Sequence, residues 1–248
     1  ALFKWVAVLT GSKNAVQGLG FLLGAALLAV FGFIPAVLAM AGVLAVILMA
    51  VAVAMPPGLP RGSKAAKVRE IISKSANINW LSLARVFLFG ARDVWFVVSV
   101  PIYFYSVLSD GSEAQNRAAF FMIGTFMSVW VILYGAVQAS APKFLAAHRR
   151  ALPELMLAAR NWAGLLLGIL VVLAGVVFLS DDPQLWFVVA GLMAFGAVFA
   201  VNSSLHSYLI LALTSDRRVT MDVGFYYGAN AAGRLLGTVL SGLCYQAG

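Results

Sequence analysis

The chain has 248 residues, 62% of them hydrophobic and 10% charged, with a net charge of +8. Soluble domains carry about 25% charged residues, and a soluble fold of this length has no interior large enough to hide so much apolar surface. With one cysteine, Cys244, neither a disulfide within the chain nor a cysteine-based metal site is available, and the surplus of Lys and Arg is first a question of which loops carry it.

Apolar runs of roughly 20 residues recur throughout, the signature of helices that cross a bilayer. The opening "ALFKWV" has neither Met nor a signal-peptide pattern, and Gly248 follows directly on an apolar run, so both ends read as cuts in a longer protein. The first predicted span runs from Leu2 to Phe31. Within it Lys13 and Gln17 are four apart and share a helix face, with Asn14 adjacent. At 1.5 Å per residue Lys13 lies roughly 18 Å inside its span, too far for its side chain to reach water. The second span, Ile34 to Met55, stops at Pro56-Pro57. The stretch "PPGLPRGSKAAKVREIISKS" follows, the longest polar segment, with Arg61, Lys64, Lys67, Arg69 and Lys74 against Glu70.

The third span, Asn77 to Leu108, contains "RVFLFGARDVWF". Arg85 and Arg92 are seven apart, two turns along one face, and Asp93 is adjacent. Pro101 is expected to kink this span beyond its charged part. The fourth span covers Arg117 to Ala141 and the fifth Asn161 to Leu179. The sixth, Gln184 to Leu213, puts Asn202 and His206 on one face, with Ser203 and Ser207 beside them. The seventh, Met221 to Tyr245, carries Tyr226, Asn230 and Arg234 at i, i+4 and i+8.

The loops alternate in charge. Basic residues follow span two, span four (Lys143, Arg149, Arg150, Arg160) and span six (Arg217, Arg218), while the loops between them hold only acids: Asp110, Glu113, Asp181 and Asp182. Lys and Arg prefer the cytoplasmic side, so the N-terminal end shown here is expected inside and Gly248 outside. A long basic cytoplasmic loop suits the link between two six-helix halves of a transporter. On that reading residues 1–55 are the last two helices of an N-terminal half. Residues 56–75 are the cytoplasmic linker, and 76–248 are a C-terminal half lacking its last helix. The linker's cations also suit anionic lipid, although orientation alone accounts for them.

Each Arg, Lys or Asp at mid-helix costs roughly 2.5–3.5 kcal/mol on insertion scales, and such residues face a bundle interior or a water-filled cavity. Lys13, Arg85, Arg92 and Arg234 against Asp93 leave a surplus of positive charge that suits a small polyanion. Arginine holds oxyanions with a planar fork of donors. The candidate binding set is Lys13, Asn14, Gln17, Arg85, Arg92, Asn202, His206, Tyr226, Asn230 and Arg234. Asp93 is either a salt-bridge lock or a proton-coupling site. His206 is either a packing residue or a proton carrier, and Asn202, Ser203 and Ser207 equally suit hydrogen bonding between helices. Gly20/Gly24, Gly224/Gly228 and Gly233/Gly237 are small-residue pairs that permit close helix approach.

Catalytic readings find little support. "TGSKN" lacks the spacing of a phosphate-binding loop, and HExxH, GxSxG and His/Cys clusters are missing. An integral membrane enzyme therefore stays a remote alternative, no metal or cofactor is expected, and short basic loops give no nucleic-acid surface.

The blocks "LTGSKNA", "FLFGARDVWFV" and "GFYYGANAAGRLLGTVLSGL", within a likeness from Leu2 to Gln246, resemble the organoarsenical efflux permeases of the major facilitator superfamily (the ArsJ type). The resemblance implies an all-α, polytopic fold of that superfamily, present here as about seven transmembrane helices, the fifth to the eleventh. It implies a monomeric, multi-pass carrier in the inner (cytoplasmic) membrane, without enzymatic activity of its own. Its substrate would be 1-arseno-3-phosphoglycerate, made when glyceraldehyde-3-phosphate dehydrogenase, its functional partner, takes arsenate in place of phosphate. Because that ester hydrolyses to arsenate, its export detoxifies the cell. A carrier for another phosphorylated sugar or organic anion is the alternative.

Overall fold

The computed structural model describes residues 2–55, 75–146, 149–180, 185–215 and 218–247, with the side chains of 2–11 and Phe144 left out. Among the described residues there are eight α-helices, in chain order α1 (Leu2–Phe31), α2 (Phe33–Ala54), α3 (Ala76–Phe96), α4 (Ser99–Leu108), α5 (Glu113–Leu145), α6 (Leu152–Leu179), α7 (Leu185–Leu213) and α8 (Val219–Ala247). No strand occurs among the described residues. The protein is thus all-helical. Among the described residues six segments are long and apolar enough to cross a membrane: Ser12–Phe31, Phe33–Ala54, Ala76–Leu108, Glu113–Lys143, Leu152–Leu179 and Leu185–Leu213. The seventh predicted span is α8. Its 29 residues give it the length, but Asp222, Tyr226, Tyr227, Asn230 and Arg234 make it less apolar than the other six.

Prolines shape two of the helices. The third predicted span is broken at Val97-Val98 into α3 and α4. Pro101 sits in the first turn of α4, where its missing N–H costs nothing, and its ring disfavours continuous helix past the carbonyl four residues back, that of Val97. In α5, Pro142 leaves the Gln138 carbonyl without an intrahelical donor. That carbonyl instead accepts the Ser204 hydroxyl of α7 at 3.2 Å, which turns a helix defect into a link between helices. The chain reverses from α1 into α2 at Gly32, whose φ of +77° is one that L side chains rarely adopt. α6 starts at Leu152, nine residues before the predicted Asn161, because Pro153 and Glu154 favour a helix start and the first turns carry polar residues beyond the apolar run.

α7 runs through the middle of the bundle, with Phe195, Phe199, Ala200, Asn202, Ser203 and Leu205 fully buried. A helix apolar on every side belongs in such a position. α1 packs chiefly on α5, α3 on α8, and α7 receives both α5 and α6. α2 touches mainly α1 and exposes nearly every side chain. Between α3 and α8, two contacts depend on the absence of a side chain. A Cβ on Gly233 would lie 2.2 Å from the Val86 carbonyl oxygen, and one on Gly237 would lie 2.6 Å from that of Gly90. α3 and α8 therefore meet backbone to backbone. The other two predicted glycine pairs, Gly20/Gly24 and Gly224/Gly228, have open space where a Cβ would go. The basic linker lies outside the described residues except for Ser75, as do Asp181, Asp182, His148 and Arg217.

Candidate functional site

Five helices enclose a cavity of about 190 Å³. α1 contributes Lys13, Asn14, Gln17 and Phe21; α3 contributes Arg85, Phe89, Arg92, Asp93 and Phe96. Trp130, Tyr134 and Gln138 come from α5, Ser207 from α7, and Tyr227, Asn230 and Arg234 from α8. Four cations thus face one carboxylate. The volume is below the ~300–1,000 Å³ of sites for drug-sized ligands, which suits a small solute.

The carboxylate is shared. Asp93, 1% exposed, takes Arg92 Nη2 at 2.5 Å on Oδ1 and Arg234 Nε at 2.9 Å on Oδ2. Buried charge of this kind persists only when paired. The close approach of α3 and α8 at Gly233 and Gly237 is what brings Arg234 within reach of Asp93. Arg234 remains 49% exposed, so its guanidinium keeps donors turned toward the opening.

Arg85 is held differently. Its Nη1 donates to the Ser203 hydroxyl at 3.0 Å and to the Ser203 carbonyl at 3.2 Å. Its guanidinium lies 4.0 Å from the Phe89 ring centre, and that of Arg92 lies 4.8 Å from the same ring. One aromatic ring therefore steadies both cations, a cation–π arrangement worth roughly 0.5–2 kcal/mol per contact. Ser203 is a hub: its hydroxyl oxygen accepts from Gln138 Nε2 at 3.4 Å and from the Tyr134 hydroxyl at 3.5 Å. Gln138 Oε1 in turn accepts Asn14 Nδ2 at 2.8 Å. A polar chain thus runs Asn14–Gln138–Ser203–Arg85 across α1, α5, α7 and α3. Beneath it Trp130 stacks on Tyr134, its indole fixed by a 2.8 Å hydrogen bond to the Leu192 carbonyl.

Two cavity-lining atoms are buried without a partner: Arg85 Nε, a donor, and Asn230 Oδ1, an acceptor. An oxyanion and a ligand hydroxyl would satisfy them respectively.

Of the predicted residues, Lys13, Asn14, Gln17, Arg85, Arg92, Asn230 and Arg234 meet at this cavity together with Asp93. Asp93 pairs with Arg92 and Arg234, as a salt-bridge lock would. Tyr226 does not line the cavity. It is fully buried behind Arg85, whose guanidinium lies 4.9 Å from its ring centre. Tyr227 takes the lining position, because i, i+3, i+7 follows a 3.6-residue helix face more closely than i, i+4, i+8. Asn202 and His206 are also elsewhere, turned to a cleft between α3, α6 and α7, while Ser203 and Ser207 one residue on face inward. Sequence reasoning missed Tyr134 and Gln138, uncharged residues on a helix with no intramembrane ion to draw attention to its face. Among the described residues no group of three or more His, Cys, Asp or Glu gathers to hold a metal. No family model, curated protein or solved structure matches the chain.

Proposed function

We propose that the protein is an efflux permease of the major facilitator type that exports a small phosphorylated or arsenylated organic acid, with 1-arseno-3-phosphoglycerate as the foremost candidate. The observation that carries the reading is the cavity's surplus of cations inside an apolar bundle. Positive charge at that depth is retained where an anion visits. Arg234, with Arg92 behind it, takes one oxyanion end; Lys13 and Arg85 take the other. Gln17 and Asn230 orient the carbon chain through hydroxyl or carboxylate oxygens. A three-carbon ligand with an anionic group at each end fits such a set, and the resemblance to organoarsenical permeases points the same way.

The cavity lies where α1 meets the α3–α8 group, a position suited to alternating access between two bundles. On this reading the protein sits in the inner membrane as a monomer. Its substrate is supplied by glyceraldehyde-3-phosphate dehydrogenase acting on arsenate. Guanidinium groups hold phosphate and arsenate alike, so a carrier for phosphorylated acids in general is the second reading.

The test is arsenate resistance. Arsenic-sensitive cells expressing the protein with a cognate dehydrogenase are expected to survive arsenate better than cells with either alone. Arg92→Ala and Arg234→Ala are each expected to abolish the gain at equal protein level. Unchanged resistance in those variants would remove both arginines from the site. Equal uptake of labelled phosphoglycerate with no response to arsenate would favour the second reading.

A further inference from the structure

At the Arg85 end of the cavity, donors outnumber what they donate to. Ser203 Oγ takes Arg85 Nη1 at 3.0 Å, Gln138 Nε2 at 3.4 Å and the Tyr134 hydroxyl at 3.5 Å. A hydroxyl oxygen has two lone pairs, so three donors exceed its capacity. The two bonds from α5 are also long, since such bonds ordinarily measure about 2.9–3.0 Å from nitrogen and about 2.7–2.8 Å from a hydroxyl. Arg85 Nη2 makes no hydrogen bond and still has accessible surface. Lys13, exposed on α1 beside Asn14, has no partner among the described residues.

The surroundings hold these groups as donors. Asn14 Nδ2 donates to Gln138 Oε1 at 2.8 Å, which turns the NH2 half of that amide toward Ser203. Tyr134 is fixed by its stack on Trp130, with ring centres 5.7 Å apart and planes 7° from parallel. The carboxylate of the cavity, Asp93, is at the other end, between Arg92 and Arg234. One end therefore sets two cations against no anion, and the other sets two cations against one.

We infer, resting on the anion-export reading, that the Lys13–Arg85 end is a subsite for the phosphoryl group of a small organic acid, and that Tyr134 and Gln138 select it. A phosphoryl group brings three acceptor oxygens and a charge of about −1.5 to −2 at pH 7. Its oxygens relieve the crowding on Ser203 by taking Tyr134, Gln138 and Arg85 Nη2 in charge-assisted hydrogen bonds. Its charge matches two cations. At the other end the same group would press its oxygens on the Asp93 carboxylate, and like charge disfavours that orientation. The acyl end of the ligand goes there instead, onto Arg234. Both ends adjoin the Phe89 ring, 4.0 Å from the Arg85 guanidinium and 4.8 Å from that of Arg92, so one small ligand touches both.

Phosphorus NMR and titration calorimetry test this on the protein purified in detergent, with 3-phosphoglycerate as the probe. Tyr134→Phe removes one hydroxyl and keeps the ring. It is expected to weaken binding about tenfold, the ordinary worth of a hydrogen bond to a charged group. At saturating ligand it is also expected to move the bound ³¹P resonance from its wild-type position. Gln138→Met, which keeps the length and loses the donors, is expected to do the same, and carries the test if Tyr134→Phe does not fold. Arg234→Lys, at the other end, is expected to weaken binding and leave the ³¹P resonance in place. Inorganic phosphate is expected to bind more weakly than 3-phosphoglycerate, because it fills one end only. A ³¹P resonance that Tyr134→Phe and Gln138→Met leave in place, or that Arg234→Lys moves as far as they do, would overturn the subsite while leaving the cavity an anion site. Inorganic phosphate bound as tightly as 3-phosphoglycerate would overturn it by making free phosphate the ligand. A wild type that binds neither probe would contradict the proposed function itself, and the subsite with it.

Discussion

Breaking the ion pair between Asp93 and Arg234 separates the two roles open to the carboxylate. As a lock, Asp93 competes with any anionic ligand for Arg92 and Arg234, since it occupies both. Asp93→Asn is then expected to tighten binding of 3-phosphoglycerate about tenfold, or 1.4 kcal/mol, by titration calorimetry. It is also expected to lower stability by about 1–3 kcal/mol, less than the ~3–5 kcal/mol of a fully enclosed pair because Arg234 is half exposed. Unchanged affinity together with loss of pH-dependent transport would assign Asp93 to proton coupling instead. The charged members of the cavity were legible in the sequence because an ion in an apolar helix has few inexpensive explanations. Tyr134, Gln138 and Tyr227 were not, because an uncharged polar residue fits a packing role as readily as a binding one. The choice between Tyr226 and Tyr227 turns on about 100° of helix rotation, a difference that a spacing of four residues does not resolve.

At the scale of the helices, the backbone contact between α3 and α8 is what places the arginine of one against the carboxylate of the other. Gly233→Ala would put a methyl group about 2.2 Å from the Val86 carbonyl, which is rigid backbone rather than a flexible side chain tip. Overpacking of this kind costs about 1–3 kcal/mol. The variant is expected to melt lower in detergent and to bind the anion more weakly, as α8 is pushed off α3 and Arg234 is carried away from the other cations of the cavity. Gly228→Ala, where space is open, serves as the neutral comparison; equal melting of the two variants would contradict the close-contact account. The placement of the long apolar helices follows from apolar run length, which is why α1, α2 and α7 lie within a residue or so of expectation. Which glycine pair makes the contact does not follow, because the small-xxx-small pattern marks permission to approach and not the neighbour. The break at Val97-Val98 was anticipated from Pro101, whereas the use of the carbonyl freed by Pro142 depends on Ser204 arriving from another helix.

For the whole molecule, the polar chain Asn14–Gln138–Ser203–Arg85 ties α1 to α5, α7 and α3, and the cations collect where these helices meet. The recurrence of long apolar runs made the multi-pass plan readable, because span length reports bilayer thickness. Substrate identity is not written in those patterns. It rests on the cavity's charge and on a family resemblance, and both lead to one direct measurement. Inside-out vesicles containing the protein are supplied with glyceraldehyde-3-phosphate, NAD, the dehydrogenase and arsenate, and arsenic in the lumen is quantified by mass spectrometry. Accumulation is expected only when all four are present, and it is expected to vanish in Arg234→Ala vesicles. Equal accumulation without the dehydrogenase, or in vesicles lacking the protein, would contradict export of the arsenylated acid.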